Sequence, residues 1–365
     1  MRNRRIAIFV PTLFFGGVER VMVNLAEGFC NRGFDVDVVA PQVAGELHAE
    51  ILGKVRIVNL DSGRVLTSLS KLVRYMQRER PAAVIAAMEH SSVVAIWART
   101  IARVPLAVIA TVHTNLSEVV AHAPSMKVRL VPIVSRTFLH KADAIVAVSR
   151  GVAENLSQHA PRCRQRTKVI FNPIITPDIL AKAQEPVEHP WFQPGQSPVV
   201  LGTGRLAVQK DFATLIRSFA LLRRKRRARL VILGEGPERH NLEALIAELG
   251  ISPDVCLLGY EENPHKYMSK AALFVLSSAW EGFGNVLVEA LAAGVPVVAT
   301  DCRDGPREIL KTAGRGRLVT VGDAEGMANQ MLASLDEVAE PVPPEALKVF
   351  TLDHVVEQYA ALLPC

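Results

Sequence analysis

Short apolar runs recur along this chain, most of them continuous rather than alternating. Each is followed by a polar or glycine-rich break and then a stretch with helical spacing. In the first half the runs fall at 6–10, 36–40, 55–60, 84–87, 106–112, 144–148 and 169–171, with helical stretches such as 18–32 and 68–80 between them. A strand buried on both faces of a parallel sheet reads as an unbroken apolar segment, because neither face meets water. The rhythm then breaks: six prolines crowd positions 173–198, which predicts a linker and a covering segment. It restarts at 199–201 and continues at 230–233, 255–258, 273–276, 297–299 and 318–320. Two tandem βαβ domains, an α/β fold, are the natural parse, at 1–172 and 199–345 with a linker at 173–198. After a second break at Pro341, Pro343 and Pro344, a last amphipathic stretch runs over 352–363.

The 365 residues suit two domains rather than one. A hydrophobic fraction of 49% supplies two cores and excludes global disorder, while only 5% aromatic content argues against a stacking platform for single-stranded nucleic acid. Net charge is +6, unevenly spread: residues 1–172 hold 23 Lys/Arg against 12 Asp/Glu, and residues 173–365 hold 19 against 24. The basic half fits an anionic partner (phospholipid, a lipid diphosphate or nucleic acid) or a merely solvated surface. Five scattered cysteines include no Cys-x-x-Cys pair, so reduced thiols in a cytoplasmic protein are the simplest account. Arg2, Arg4 and Arg5 ahead of an apolar run imitate a signal peptide, but Pro11, Gly16-Gly17 and Glu19-Arg20 interrupt it. No apolar run reaches the roughly 18 residues that a transmembrane helix needs.

Open parallel sheets bind ligands at the carboxyl ends of their strands, so the residues after each strand are the candidates for chemistry. After the first strand comes Gly16-Gly17-Val-Glu19-Arg20, where glycines admit a close ligand and a helix start offers N–H groups to an anion. After the first strand of the second half, Gly202-Thr-Gly204-Arg205 followed by Lys210 and Asp211 makes a candidate phosphate clamp, with arginine as a two-pronged donor and lysine as a movable point charge. The most specific feature is Glu281-Gly282-Phe283-Gly284-Asn285-Val286 leading to Glu289. Turn amides and a helix dipole there favour an anion, whereas the two carboxylates suit sugar or ribose hydroxyls. That division of labour points to a sugar nucleotide. His113 stands at the end of an apolar strand, and Met88-Glu89-His90 is an acceptor-side segment without a motif behind it.

These stretches resemble the retaining GT-B glycosyltransferases of family four over nearly the whole chain, most strongly from residue 199 to 322. The hallmarks are GGVER, GRLAVQKDF, LVILGEGPER, EGFGNVLVE and GVPVVATDCRDGPREIL, in that order. The resemblance implies a GT-B architecture: two Rossmann-like domains facing across a cleft, the donor on the second, and a tail at 346–365 whose helix packs back on the first. It implies that Arg205 and Lys210 hold the donor diphosphate and that Glu289 accepts from the ribose. Glu281 and the segment Gly282, Phe283, Gly284, Asn285 and Val286 hold the donor sugar, Gly16 and Gly17 close over the phosphates, and His113 orients the transferred sugar. No Asp-x-Asp metal motif stands in a suitable loop, so fixed cations are expected in place of a metal, and no cofactor is expected.

The acceptor is expected to be a saccharide, lipid-linked, with the basic half resting on the anionic inner face of the membrane. Lys71, Arg74, Arg78 and Arg80 lie on one helical stretch, and Lys127, Arg129, Arg136 and Lys141 lie on another with Met126, Leu130 and Phe138; basic plus apolar suits a bilayer surface. The cluster at 223–227 reads as a solvated helix end rather than a nucleic-acid site. A UDP-linked hexose or N-acetylhexosamine is the leaning for the donor, with GDP-mannose and a sugar-nucleotide epimerase as alternatives. An NAD-dependent dehydrogenase is the rival from another class, disfavoured because Gly234-Glu-Gly236 meets Arg239 where a third glycine belongs.

Overall fold

Burial on both faces organises the molecule. In the computed structural model, which describes residues 4–14, 16–43, 53, 55–121, 131–338 and 340–364, the continuous apolar runs form two fully parallel sheets. The chain divides into two compact units, residues 1–174 with 349–365, and residues 175–348.

The first unit holds β1 (Arg5–Phe9), β2 (Asp35–Ala40), β3 (Arg56–Asn59), β4 (Ala83–Ala86), β5 (Ala107–Val112), β6 (Ala144–Ala147) and β7 (Thr167–Val169). Their spatial order is β3-β2-β1-β4-β5-β6-β7. The order reverses between β1 and β4, where Ile6 pairs with Val36 on one side and Ala83 on the other. All four residues of β4 and of β6 are buried. Strand β7 begins and ends two residues before the apolar run at 169–171. Phe171 instead stacks on Phe350, with centroids 5.3 Å apart, so that run serves packing against the returning chain end as well as the ladder.

That chain end belongs to the first unit. The helix Leu352–Ala360 lies against the helix Gly17–Asn31 at Gly28, where an added Cβ would come within 2.5 Å of Val356 Cγ2. Arg32 Nη2 donates to the Asp353 carbonyl at 2.8 Å.

In the second unit β8 (Val199–Thr203), β9 (Arg229–Leu233), β10 (Val255–Gly259), β11 (Leu273–Leu276), β12 (Val297–Thr300) and β13 (Arg317–Val319) take the order β10-β9-β8-β11-β12-β13. Here the reversal falls between β8 and β11. Phe219, Leu215 and Ile216 of the helix Phe212–Lys225 pack into one core with Leu230, Ile232 and Val275. The cationic end of that helix is not simply solvated: Arg223 Nε donates to Asp254 at 2.9 Å and Arg226 pairs with Asp336.

Among the described residues no helix is long and apolar enough to cross a membrane. The helix Leu69–Glu79 buries Leu72, Val73, Tyr75 and Met76 in the core, so its outer face offers cations without apolar residues. Lys71 on that face is held by the Asp61 carbonyl and Arg78 by Glu79. In the second basic stretch Met126, Lys127, Arg129 and Leu130 lie outside the described residues, while Arg136 and Lys141 are exposed.

Candidate functional site

The second unit gathers its chemistry at the reversal point of its sheet. At the end of β8 the chain turns through Gly204, whose N–H donates to the Leu233 carbonyl at 3.0 Å. The turn is braced from below by Gly234 and Gly236. A Cβ on Gly234 would lie 2.0 Å from the Gly204 carbonyl oxygen, and one on Gly236 would lie 2.3 Å from that of Leu206. These glycines are therefore required by backbone-on-backbone packing, which gives them a reason other than dinucleotide binding. The brace presents Arg205 to solvent, and its guanidinium makes no ion pair with the described residues. Thr203 Oγ1, two residues before it, is buried without a hydrogen-bond partner among the described residues.

Lys210 is fixed differently. It ends a short turn just before the helix Phe212–Lys225, which Asp211 caps by accepting from the Thr214 N–H at 3.2 Å. Its Nζ donates to Glu281 Oε1 at 2.5 Å, and Ser278 Oγ donates to the same oxygen at 2.7 Å. Three further bonds join the two loops: Ser277 Oγ to the Lys210 carbonyl (2.7 Å), Gln209 Nε2 to the Trp280 carbonyl (2.9 Å), and the Ala279 N–H to the Gln209 carbonyl (2.8 Å). Glu281 is 8% exposed. Cys302, after β12, is buried beside this pair. Burial, with the Glu281 charge next, pushes its thiol up to about 12.

From Glu281 the chain passes Gly282 and Phe283 to Gly284, at φ +95, and enters the helix Asn285–Ala292. The Phe283 side chain is buried, so that residue can serve a ligand only through its backbone. The loop before the helix Pro306–Ala313 crosses directly over it: a Cβ on Gly305 would stand 1.8 Å from the Phe283 carbonyl oxygen. Asn285 and Val286 open the helix, half-buried, and Glu289 follows one turn in, with His265 Nδ1 3.9 Å from its carboxylate. Sequence reasoning missed His265, Ser278 and Gln209. Only folding brings Ser278 to Glu281, Gln209 to the Trp280 carbonyl and His265 toward Glu289, although Asn263-Pro264 ahead of His265 does signal a capped helix start. A cavity of 320 Å³ lies at the other ends of the strands, lined by Val295, Gly314, Arg315 and Glu340 among others, and shares none of these residues.

The first unit has a different character. Gly16 stands before the helix Gly17–Asn31, and the Glu19 carboxylate folds over it, accepting from Thr12 Oγ1 at 3.2 Å. After β4, Met88 takes φ +69 and Glu89 becomes the second residue of the helix Met88–Ala102. Glu89 is 4% exposed with Oε1 unpartnered. Burial pushes its carboxyl up to about 7, against smaller opposing effects of its own amide and the Thr114 hydroxyl. His113 is also buried, and burial pulls it down to about 4, so its ring is neutral. Thr111 Oγ1 gives its proton to the Ala86 carbonyl (3.0 Å) and receives the Met88 N–H (3.4 Å). The His113 Nε2 at 2.9 Å from that hydroxyl is then its protonated nitrogen.

The structure thus unites Lys210 with Glu281, stations Arg205 on the adjoining turn, and sets Glu289 one helical turn beyond. Gly16, Gly17 and His113 belong to the first unit.

Comparison with known proteins identifies the family and the fold. Residues 15–176 match the profile of Glycosyltransferase Family 4, and residues 185–340 that of Glycosyl transferases group 1. The chain belongs to this family of glycosyltransferases, with the GT-B fold of two Rossmann-like sheets and a C-terminal helix. Among curated relatives, a Campylobacter jejuni N-acetylgalactosamine-N,N'-diacetylbacillosaminyl-diphospho-undecaprenol 4-alpha-N-acetylgalactosaminyltransferase is 38% identical over 197 residues, 54% of this chain and 52% of that protein. The chain thus spans about half the length of that relative. The lipopolysaccharide core biosynthesis glycosyltransferase LpsE of Rhizobium meliloti is 29% identical over 86% of this chain and 84% of its own. Among solved structures, Anabaena Alr3699/HepE in complex with UDP superposes with a TM-score of 0.79 at 21% identity, over 98% of both chains.

Proposed function

We propose that this protein is a retaining glycosyltransferase that takes a hexose or N-acetylhexosamine from a UDP-linked donor and passes it to a saccharide acceptor. The observation that carries the reading is the cluster at the β8/β11 reversal: Arg205, without an ion partner among the described residues, Lys210 against Glu281, and Glu289 one helical turn on. Cations and turn amides suit a diphosphate, and carboxylates suit hydroxyls. The relatives named for N-acetylgalactosamine transfer and lipopolysaccharide core synthesis, and the UDP-bound neighbour, support the UDP-sugar and the setting in cell-surface polysaccharide or lipopolysaccharide assembly. The diphospho-undecaprenol in one relative's name supports a lipid-linked acceptor. The exposed cations of the first unit support peripheral contact with an anionic membrane on its cytoplasmic side.

In this reading the glycosidic bond breaks as negative charge grows on the leaving diphosphate. Arg205, Lys210 and the amides of residues 282–285 are already in place for that charge, so they act on the transition state more than on the ground state. The acceptor attacks from the same face and its proton passes to the departing phosphate. His113, neutral and oriented by Thr111, keeps Nδ1 to accept a hydrogen bond from a hydroxyl of the transferred sugar.

Calorimetric titration with UDP, GDP, ADP and NAD tests the reading, with Arg205→Ala alongside. UDP is expected to bind selectively and the variant to lose most of that affinity. Binding of NAD alone, or of no nucleotide, overturns it.

A further inference from the structure

The Lys210–Glu281 pair raises a problem for a donor site. The cation meant for a diphosphate is already engaged by a carboxylate, with Glu281 Oε1 2.5 Å from Lys210 Nζ, so a phosphate drawn to that lysine would approach a like charge. This is no casual surface ion pair. The two side chains are 19% and 9% exposed, and three additional hydrogen bonds sew their loops together. Ser278 and Lys210 both donate to Oε1, while Oε2 accepts nothing among the described residues. Lys210 Nζ has three donors and uses one. The buried Cys302 thiol lies close enough to feel both charges.

We propose that Glu281 makes this site discriminate a nucleotide sugar from the bare nucleoside diphosphate, by opposing the diphosphate and being compensated only when a sugar hydroxyl donates to it. The inference rests on the donor-site reading above. A bare diphosphate meets a cation whose charge Glu281 has largely cancelled, and brings more negative charge to a low-dielectric spot. A nucleotide sugar brings the same diphosphate with a hydroxyl for Oε2, so the carboxylate gains a partner as the lysine is shared. Once the sugar has been transferred, that hydroxyl leaves with the acceptor and the carboxylate again faces phosphate. Glu281 thereby favours donor entry and product departure.

The test is calorimetry of UDP, GDP and ADP, and of UDP-glucose and UDP-N-acetylglucosamine, on the wild type, Glu281→Gln and Glu281→Ala, with circular dichroism to verify folding. Both variants are expected to bind the preferred bare diphosphate several-fold more tightly and its sugar conjugate several-fold more weakly. Product inhibition during turnover should deepen in parallel. A diphosphate affinity that is unchanged or weaker in both folded variants overturns the proposal and leaves the donor site standing. If no nucleotide binds any of the three proteins, the donor-site reading itself falls.

Discussion

The two units share one topology and use it in opposite ways. Each is a parallel sheet whose strand order reverses once, between β1 and β4 in the first and between β8 and β11 in the second, and that is where such sheets bind ligands. In the second unit the reversal is lined by charge: exposed Arg205, the Lys210–Glu281 pair and Glu289. In the first it is followed by groups on which burial disfavours charge, the Glu89 carboxyl, pushed up to about 7, and the His113 ring, pulled down to about 4. A charged leaving group asks for the first kind of surface, and a neutral hydroxylic substrate is served by the second. The same scaffold therefore supplies two electrostatic environments, and the contrast can be attacked from either side.

The largest effect is expected on the charged side. Lys210→Ala removes the preorganised cation and leaves Glu281 buried with Ser278 alone. Losing one such donor costs on the order of 3–4 kcal/mol of barrier, or about 10²–10³-fold in kcat. Steady-state kinetics with a UDP-sugar donor checks it, and near-normal turnover removes Lys210 from the mechanism.

Glu89→Gln probes the neutral side through pH. Glu89 ionises near 4.5 in the unfolded chain and near 7 in the folded one. Below the unfolded value both states are protonated and nothing is lost. As pH rises toward the folded value, only the unfolded state gives up its proton, so the wild type loses stability until both are ionised. The gap between the two values is worth roughly 3 kcal/mol. Denaturant melts across this range should show the wild type weakening with pH relative to Glu89→Gln, which stays neutral throughout. Parallel curves would mean that Glu89 ionises normally and that the contrast between the units is not electrostatic.

Much of this was legible in the chain, for identifiable reasons. Continuous apolar runs located the described strands, because parallel strands must be apolar on both faces; β7 slipped, an edge strand that ends two residues before Phe171, whose ring packs on Phe350 instead. The EGFGNVLVE turn was legible because Gly284 needs its positive φ and the helix must begin immediately after it. What the chain hid was partnership. Nothing in the spacing of Lys210 and Glu281 says that they touch, and nothing near Glu89 announces its burial. His265 comes within 3.9 Å of Glu289 only because two helices distant in sequence converge. The helix Leu69–Glu79 was legible only for its cations, since the chain does not announce that Leu72, Val73, Tyr75 and Met76 on its other side are consumed by the core.

The smallest predicted effect separates the units mechanically rather than electrically. Only the first is closed by the chain's own end, with Leu352 and Val356 packed against Gly28. Gly28→Ala sets two terms against each other. A mid-helix glycine-to-alanine change stabilises by up to ~1 kcal/mol, whereas a Cβ 2.5 Å from Val356 Cγ2 and 2.8 Å from Leu352 Cδ1 overpacks a seam, which typically costs ~1–3 kcal/mol. Both contacted side chains are buried, at 0% and 6% exposure, so neither can swing into solvent and the clash should win by about 1 kcal/mol. Thermal denaturation should then drop by a few degrees, while calorimetric UDP affinity, which the proposed function assigns to the second unit, stays at its wild-type value. A rise in melting temperature would show that the C-terminal helix rides loosely on Gly28. A fall in UDP affinity would show that closing the first unit helps to shape the donor site of the second.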